Sequence, residues 1–451
     1  MSDEQRPDSL GCYGSPWART PVIDELARGG ALFQEAYTPS PVCVPARSCL
    51  LTGRYGSGLG VLHNEQRLAR DTAFLTWAFA AAGYRTASFG KKHYFVEGRQ
   101  AFDVERGRAT DSVVDATRYA AAYDMRDYDV VRYPGPQPWI LGGRFPEAAE
   151  RTAEAVNAGL ALEWLASLGP ADRFFLRVSF NAPHTPVVVP GPFAGTMDPA
   201  SIRLPFCSPD EFRAMPPYLR EALGSYQGSA RLSREQLMQA RRYYYERVAF
   251  LDAQVGRLLD GLSRRGRLEN TIVAFVSDHG THLGDHGLLQ KQTFYEQVAT
   301  VPYLFRYPGG IRPGSRFRTP VSTLTLLATL IELAGLPAPE SVEAPSLAAN
   351  LRGGVEPAAA PVFSEIKLGY RGYRDDDRLV MIRSGRHKMF LFQDPSGPER
   401  FRGREEGSLF DLATDPAEER DLFRNRRALA AGMQEQIRAW DARPRSRVTR
   451  P

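Results

Sequence analysis

Histidines are scarce in this chain, seven in 451 residues, yet three of them fall in short segments that read as strand ends: His93 in GKKHY, His184 in NAPHTP and His279 in SDHG. A carboxylate beside an imidazole, as in Asp278-His279, can share a divalent cation. A second acidic pair, Asp3-Glu4, would complete an oxygen-rich site if a strand delivered it to the same edge. His93, His184 and Lys291 are candidates for moving protons and holding an anion, because imidazole titrates near neutral pH and an ammonium stabilises a developing oxyanion. His282 and His286 have the spacing of a zinc pair on a helix, but Gly280, Gly284 and Gly287 argue for a loop, so neither is expected as a ligand. One thiol stands apart. Cys43 lies between Pro41 and Pro45, with Arg47 four residues on and an apolar run behind it.

Composition narrows what that thiol can be for. The four cysteines (Cys12, Cys43, Cys49, Cys207) are irregularly spaced, form no disulfide framework and include no CxxC pair of a structural zinc site. The net charge of +5 and pI near 9.0 come from scattered arginines. That pattern reads as a solvated basic surface mildly favouring anionic substrates, with no nucleic-acid groove. No apolar run approaches the ~20 residues that span a bilayer, and no basic segment leads into an apolar one at the N-terminus. The chain as given is therefore expected to be cytoplasmic and free of the membrane. With 43% hydrophobic and 24% charged residues, its length suits one large globular domain and a smaller one.

These residues need elements to bring them together. Thr20, Pro21 and Gly29 punctuate a helix with Thr20 as N-cap, and ALFQEAY follows as a strand. Asp71 to Ala82 reads as a packed helix leading to the strand YRTASFG, and Glu150 to Leu168 as an amphipathic helix leading to the buried strand RFFLRVSF. Ser233 and Gln236 offer a capping box for a helix ending at Gly266, before a second buried strand, TIVAFVS. Helices alternating with buried strands predict an α/β fold, a large, mostly parallel sheet sandwiched by helices. Ligands bind beyond the carboxyl ends of such strands, where His93, His184 and Asp278-His279 stand. An Ala-, Pro- and Gly-rich stretch near 345–360 reads as a linker. The expected division is a catalytic α/β domain over 1–350 and an antiparallel-sheet subdomain with a terminal helix over 351–451. No internal repeat is evident.

The residues together resemble a known family. Cys43-Val44-Pro45-Ala46-Arg47 matches the C-x-P-x-R signature of the type I, formylglycine-dependent sulfatases of the alkaline phosphatase superfamily, and SCLLTGR continues the match. GYRTASFGKKHY resembles the family's second signature, NAPHTP and VSDHGTHLGDHG its later site loops, and SLFDLATDPAEERDLF its C-terminal segment. The resemblance implies that a formylglycine-generating enzyme oxidises Cys43 to an aldehyde whose hydrate attacks sulfate esters. It implies that Asp3, Glu4, Asp278 and His279 hold one divalent cation together with an oxygen of the residue derived from Cys43. Ca²⁺ is the expected ion, with Mn²⁺ as the alternative because imidazole accommodates both. Arg47 would orient the nucleophile, Lys91 and His93 would bind its hydroxyls, and His184 and Lys291 would grip the sulfate and the leaving oxygen.

Two departures from the family pattern stand out. The family has an apolar strand just before its first aspartate, whereas this chain opens Met1-Ser2-Asp3, which leads us to expect a true start upstream. Glu4 also replaces the second aspartate of many members, and His279 an asparagine found in some. The expected substrate is a small-molecule or saccharide sulfate ester, met through loops between Tyr94 and Arg144 and through Pro186 to Phe193. A phosphonate monoester or phosphodiester hydrolase is the runner-up, and an anion-binding protein with an unconverted Cys43 is the reading from another class.

Overall fold

Parallel strands need crossovers, and the alternation along the chain resolves into one sheet with helices on both faces. A computed structural model describes residues 1–107, 130–135, 139–145, 148–205, 207, 209–216, 218–337, 342–367, 378–392 and 407–443. Part of the expected substrate loop between Tyr94 and Arg144 therefore lies outside the described residues.

The strands of the main sheet are β1 (Ala31–Phe33), β2 (Arg85–Gly90), β3 (Val104–Arg106), β4 (Phe174–Ser179), β5 (Val273–Val276), β6 (Tyr303–Arg306) and β7 (Ser315–Phe317). β2 pairs in parallel with β3 and β4. β6 is antiparallel to both β5 and β1, and β1 is parallel to β7. The first three residues join the two halves. Ser2 bridges Ser277 and Asp3 bridges Pro183, both in parallel, and the Met1 amino group and carbonyl bond the Val178 carbonyl and the Phe180 amide, each at 2.9 Å. The order is thus β3-β2-β4-(Met1–Asp3)-β5-β6-β1-β7, parallel except at β6.

Helices α1 (Pro21–Arg28), α3 (Ala153–Ala166) and α4 (Arg234–Arg264) cover one face, packing Ile23, Leu26, Ala158 and Leu251 with Phe180, Phe275 and Leu304. On the other face Leu50 of α2 (Cys43–Thr52) and Leu326 and Leu333 of α5 (Leu326–Leu333) meet Val276, Tyr303 and Phe305. The capping box of Ser233 and Gln236 forms as expected. Thr20 does not cap α1: its hydroxyl is taken by Gly11 and Asp24, and Asp252 of α4 accepts the Val22 and Ile23 amides instead. The helix expected over Asp71 to Ala82 shrinks to Trp77–Ala81, because the Leu75 amide pairs with the Leu51 carbonyl at the end of α2.

The strand from RFFLRVSF is half-buried along most of its length, where its apolar sequence predicts full burial. The reason is a gap. Beneath Met1 the facing edges of β4 and β5 enclose a cavity of about 430 Å³ lined by residues such as Phe175, Val178, Leu258, Val273, Phe275 and Leu330.

The C-terminal strands β8 (Val362–Lys367), β9 (Arg378–Ser384), β10 (His387–Phe392) and β11 (Gly407–Asp411) form the antiparallel sheet read from the sequence, followed by α6 (Arg427–Asp441). The stretch read as a linker instead carries a short helix, Ala348–Gly353, that crosses the expected 350/351 boundary, because Leu347, Ala348 and Leu351 are apolar enough to enter the core of the larger part. The small sheet docks tightly: Lys388 is buried between Glu418 and Glu296, 2.5 and 2.6 Å away. Among the described residues no helix is long and apolar enough to cross a membrane.

Candidate active site

The carboxyl ends of β2, β4 and β5, the first residues of the chain and the N-terminus of α2 all meet at one place. Each end is shaped by its local sequence. Gly90, at φ 95°, closes β2 against β4, where a Cβ would stand 2.1 Å from the Ser179 carbonyl oxygen, and so turns the chain into Lys91. Gly280 lets the Asp278-His279 turn lie on the Gln297 carbonyl, again 2.1 Å from where a Cβ would be. Glu4 and His93 hold left-handed backbone conformations, with φ 61° and 47°, a strain of the kind that clusters at functional sites.

Cys43 opens α2, with its side chain fully buried. The sulfur lies 3.1 Å from His279 Nε2, 3.2 Å from Lys291 Nζ and 3.9 Å from Asp3 Oδ1. One turn later Arg47 spends its guanidinium on Asp278 Oδ2 at 2.7 Å, Asp3 Oδ2 at 2.8 Å, Ser179 Oγ at 2.8 Å and the Lys91 carbonyl at 3.1 Å. Lys91 Nζ stands 2.5 Å from Asp3 Oδ2. Lys291 bonds the Glu4 carboxylate and lies 2.9 Å from His184 Nε2, which is itself 3.3 Å from Glu4. His279 sets its Nδ1 2.8 Å from the Gly280 carbonyl, where Nδ1–H donates, and turns its Nε2 to the sulfur.

The electrostatics follow from burial set against neighbours. Burial pushes the Cys49 thiol well up, and would do the same at Cys43, but Lys291, Lys91 and His279 pull Cys43 well below the ordinary thiol range. Burial opposes ionisation of Asp3, yet Lys91 and Arg47 hold its carboxyl below the usual carboxylate range. Burial and the charge of Lys91 push His93 down, against a hydrogen bond with Cys43 that raises it. His279 is raised to about 9, its burial outweighed by Asp278 and the Cys43 thiolate.

Two donor clusters are compact enough for a metal ion. Asp3, Cys43, Asp278 and His279 offer one ligand atom each within 4.8 Å of one another, and Asp3, Glu4 and His184 form an adjoining group. Every site residue expected from the sequence is gathered here, with Glu4 turned toward Lys291 and His184. His282 and His286 stand apart, bonded to Thr293 and Glu211. Sequence reasoning missed three supports. Ser179 steadies Arg47, Asn64 accepts the Val44 amide at the start of α2, and the Tyr244 hydroxyl donates to the Glu4 carbonyl. Only Ser179 had a signal, its place at the end of a strongly apolar strand.

Comparison with known proteins agrees with this geometry. The family described as Sulfatase matches residues 1–336, and that described as N-sulphoglucosamine sulphohydrolase, C-terminal, matches residues 284–442. The chain is 31% identical to the choline-sulfatase of Rhizobium meliloti, over 90% of this chain and 78% of that one. It is 26% identical to an arylsulfatase of Clostridium perfringens, over 94% and 89%. The fold is shared with the phosphonate monoester hydrolase of Agrobacterium radiobacter, at a TM-score of 0.82 and 24% identity over 98% and 94% of the two chains. It is shared too with a protein solved in complex with its substrate D-glucosamine-2-N,6-O-disulfate, at a TM-score of 0.74 and 20% identity over 98% and 95%. A matching family over three-quarters of its length, with the Cys43 cluster at the strand ends, makes this chain a member of the sulfatase family and a sulfuric ester hydrolase.

Proposed function

We propose that the chain hydrolyses a saccharide sulfate monoester, with a formylglycine made from Cys43 as nucleophile and one divalent cation beside it, in the cytoplasm. The observation that carries this reading is the convergence of Asp3, Lys91, Asp278, His279 and Lys291 around Cys43 at the start of α2. The donors suit a cation: Arg47 occupies one oxygen of each aspartate, while Asp3 Oδ1 and His279 Nε2 face the Cys43 sulfur. Oxygen and imidazole donors of this kind accept Ca²⁺ or Mn²⁺. A bound cation would supply positive charge that acidifies a neighbouring hydroxyl.

The Cys43 sulfur stands where the two hydroxyl oxygens of hydrated formylglycine would be. One hydroxyl oxygen attacks the ester sulfur as the bond to the alcohol oxygen breaks, leaving a sulfated side chain. Lys291, 3.2 Å from the Cys43 sulfur and 2.9 Å from His184 Nε2, forms with that imidazole a pair that takes the proton of the attacking hydroxyl and returns one to the departing alkoxide, which leaves as the alcohol. His93, held neutral by burial and Lys91, then takes the proton of the second hydroxyl. That oxygen re-forms the carbonyl, the carbon–oxygen bond to sulfate breaks, and water restores the hydrate. A thiol has no second hydroxyl and could not release the product this way.

Peptide mass spectrometry of protein made with a formylglycine-generating enzyme tests the reading. The Cys43 peptide should carry one oxygen in place of the sulfur and two hydrogens, and the converted fraction should track sulfate release from an aryl sulfate. An unconverted thiol with intact anion binding would favour the binding protein. The Asp278-His279 pair keeps the phosphorus esters in view as a second reading. Three non-bridging oxygens of a sulfate monoester match Lys91, His184, Lys291 and the cation, whereas a diester leaves one charged donor without its partner. A higher kcat/KM for an aryl sulfate than for the matched phosphodiester or phosphonate, with Ca²⁺ and then Mn²⁺, is expected; the reverse under both metals would transfer the assignment.

A further inference from the structure

Beside the reacting centre stands an aromatic ring that the chemistry does not use. Phe95 follows His93 by two residues and is 39% exposed; among the described residues the only other large apolar side chain so open is Val355. A lone exposed phenylalanine needs no explanation in itself. Its position does. The Phe95 ring meets the His93 imidazole edge-on, with centroids 6.0 Å apart, and His93 is two residues from Lys91, which reaches Asp3. The ring is held outward by its neighbours: Tyr94 is buried in the core, the Phe95 carbonyl accepts the Leu68 amide at 2.8 Å, and Val96 bridges Leu68.

The same bridge brings Arg67 over the ring. Its guanidinium carbon lies 5.9 Å from the Phe95 centroid, and among the described residues Arg67 makes no ion pair, whereas nearby Lys92 is paired with Glu105. An aromatic face next to an uncompensated guanidinium selects among alcohols. A quaternary ammonium would find the face shared with a cation and be repelled, despite the usual attraction of such groups to aromatic rings. A neutral alcohol would gain the ring and leave Arg67 unused. A pyranose that carries a second acidic group would lay its apolar C–H face on Phe95 and give its anion to Arg67, a charge-assisted hydrogen bond.

From this juxtaposition, and resting on the sulfatase reading above, we infer that Phe95 and Arg67 form the subsite for the alcohol half of the ester, selecting a pyranose that bears an acidic group besides the scissile sulfate. The test compares D-glucosamine-2-N,6-O-disulfate, N-acetylglucosamine 6-O-sulfate and choline sulfate on the matured enzyme. The disulfate should give the highest kcat/KM and the choline ester the lowest. Arg67→Ala should shrink the preference for the disulfate over the monosulfate by about tenfold, the scale of one hydrogen bond to a charged group. Phe95→Ala should raise KM more than it lowers kcat for both sugar esters. Titration of the disulfate into Cys43→Ala protein supplies a readout without turnover, in which added Arg67→Ala should weaken binding. Turnover of the disulfate with an unchanged preference in Arg67→Ala, or a preference for choline sulfate, would overturn the subsite and leave the sulfatase reading standing. Binding that depends on Arg67 without turnover of any ester would support the subsite and remove the hydrolase reading.

Discussion

Arg47 is a buried cation that answers two buried carboxylates at once, Asp3 and Asp278, with no exposed surface on any of the three side chains. Removing one partner of such a group leaves uncompensated charge in the interior, at a typical cost of about 3–5 kcal/mol. Arg47→Ala is therefore expected to unfold at much lower urea, and Arg47→Lys, which keeps the charge but not the planar fork, to fold and lose most of its activity. Urea melts and sulfate release check both, and a stable, active Arg47→Ala protein would remove it from the site. Cys43→Ser should accumulate a sulfate ester on the introduced serine, visible by mass, because the second hydroxyl is missing. His93→Ala should keep the fold and lose roughly 10²–10⁴-fold in rate, the scale of a positioned base. His282→Ala is the contrast: His282 is buried against Thr293, away from the sulfur, so stability should fall while kcat per folded molecule stays near that of the parent. At this scale the candidate site residues could be picked out in the sequence because they follow strand-like runs, beside Gly90, Pro183 and Gly280. Asn64 and Tyr244 could not, since each acts through a bond to a residue 20 or 240 positions away, and Ser179 showed only as the end of an apolar strand.

Elements pass these positions on through their ends. α1 shows how sequence patterns mislead there: Thr20 stands where an N-cap belongs, but the carboxylate that accepts the first amides comes from Asp252 on α4, 230 residues on. No local pattern announces a cap supplied across the core. Burial raises the Asp252 carboxyl to about 6, even against the two amide bonds that favour its charged form. The sign of the consequence follows. A carboxyl whose folded value lies above its unfolded value contributes stability that is fully present below the unfolded value, and this is lost as pH rises through about 6. Asp252→Asn cannot titrate, so its melting temperature should gain on the parent's as pH rises from about 4 to 7. A constant difference over that range would show that Asp252 titrates alike in both states. The shortening of the helix read over Asp71 to Ala82 and the short helix Ala348–Gly353 within the stretch read as a linker have a related reason, since pairing of Leu75 with α2 and burial of Leu351 are tertiary choices that override local propensity.

For the whole molecule, the segment that delivers Asp3 to the site is also the segment that closes the sheet. Met1 to Asp3 bridges β4 and β5 only at their carboxyl ends, and below it the two edges stay apart around the 430 Å³ cavity. The alternation of helix and strand made the sheet legible, but this gap was visible only as half-burial of two apolar strands. Five apolar, β-branched residues placed before Met1 would offer side chains to the cavity and backbone to both edges. Each such side chain buried contributes about 1.5–3 kcal/mol before the entropy of ordering the strand is subtracted. The extended protein should melt several degrees higher, and the added rigidity at Asp3 should tighten divalent cation binding, measured by titration of Ca²⁺ and Mn²⁺ into the matured protein. An extension of alternating serine and glycine, able to pair but not to fill, should do neither. If both extensions behave alike, the gap is not a strand site and Asp3 is held by Arg47 and Lys91 alone.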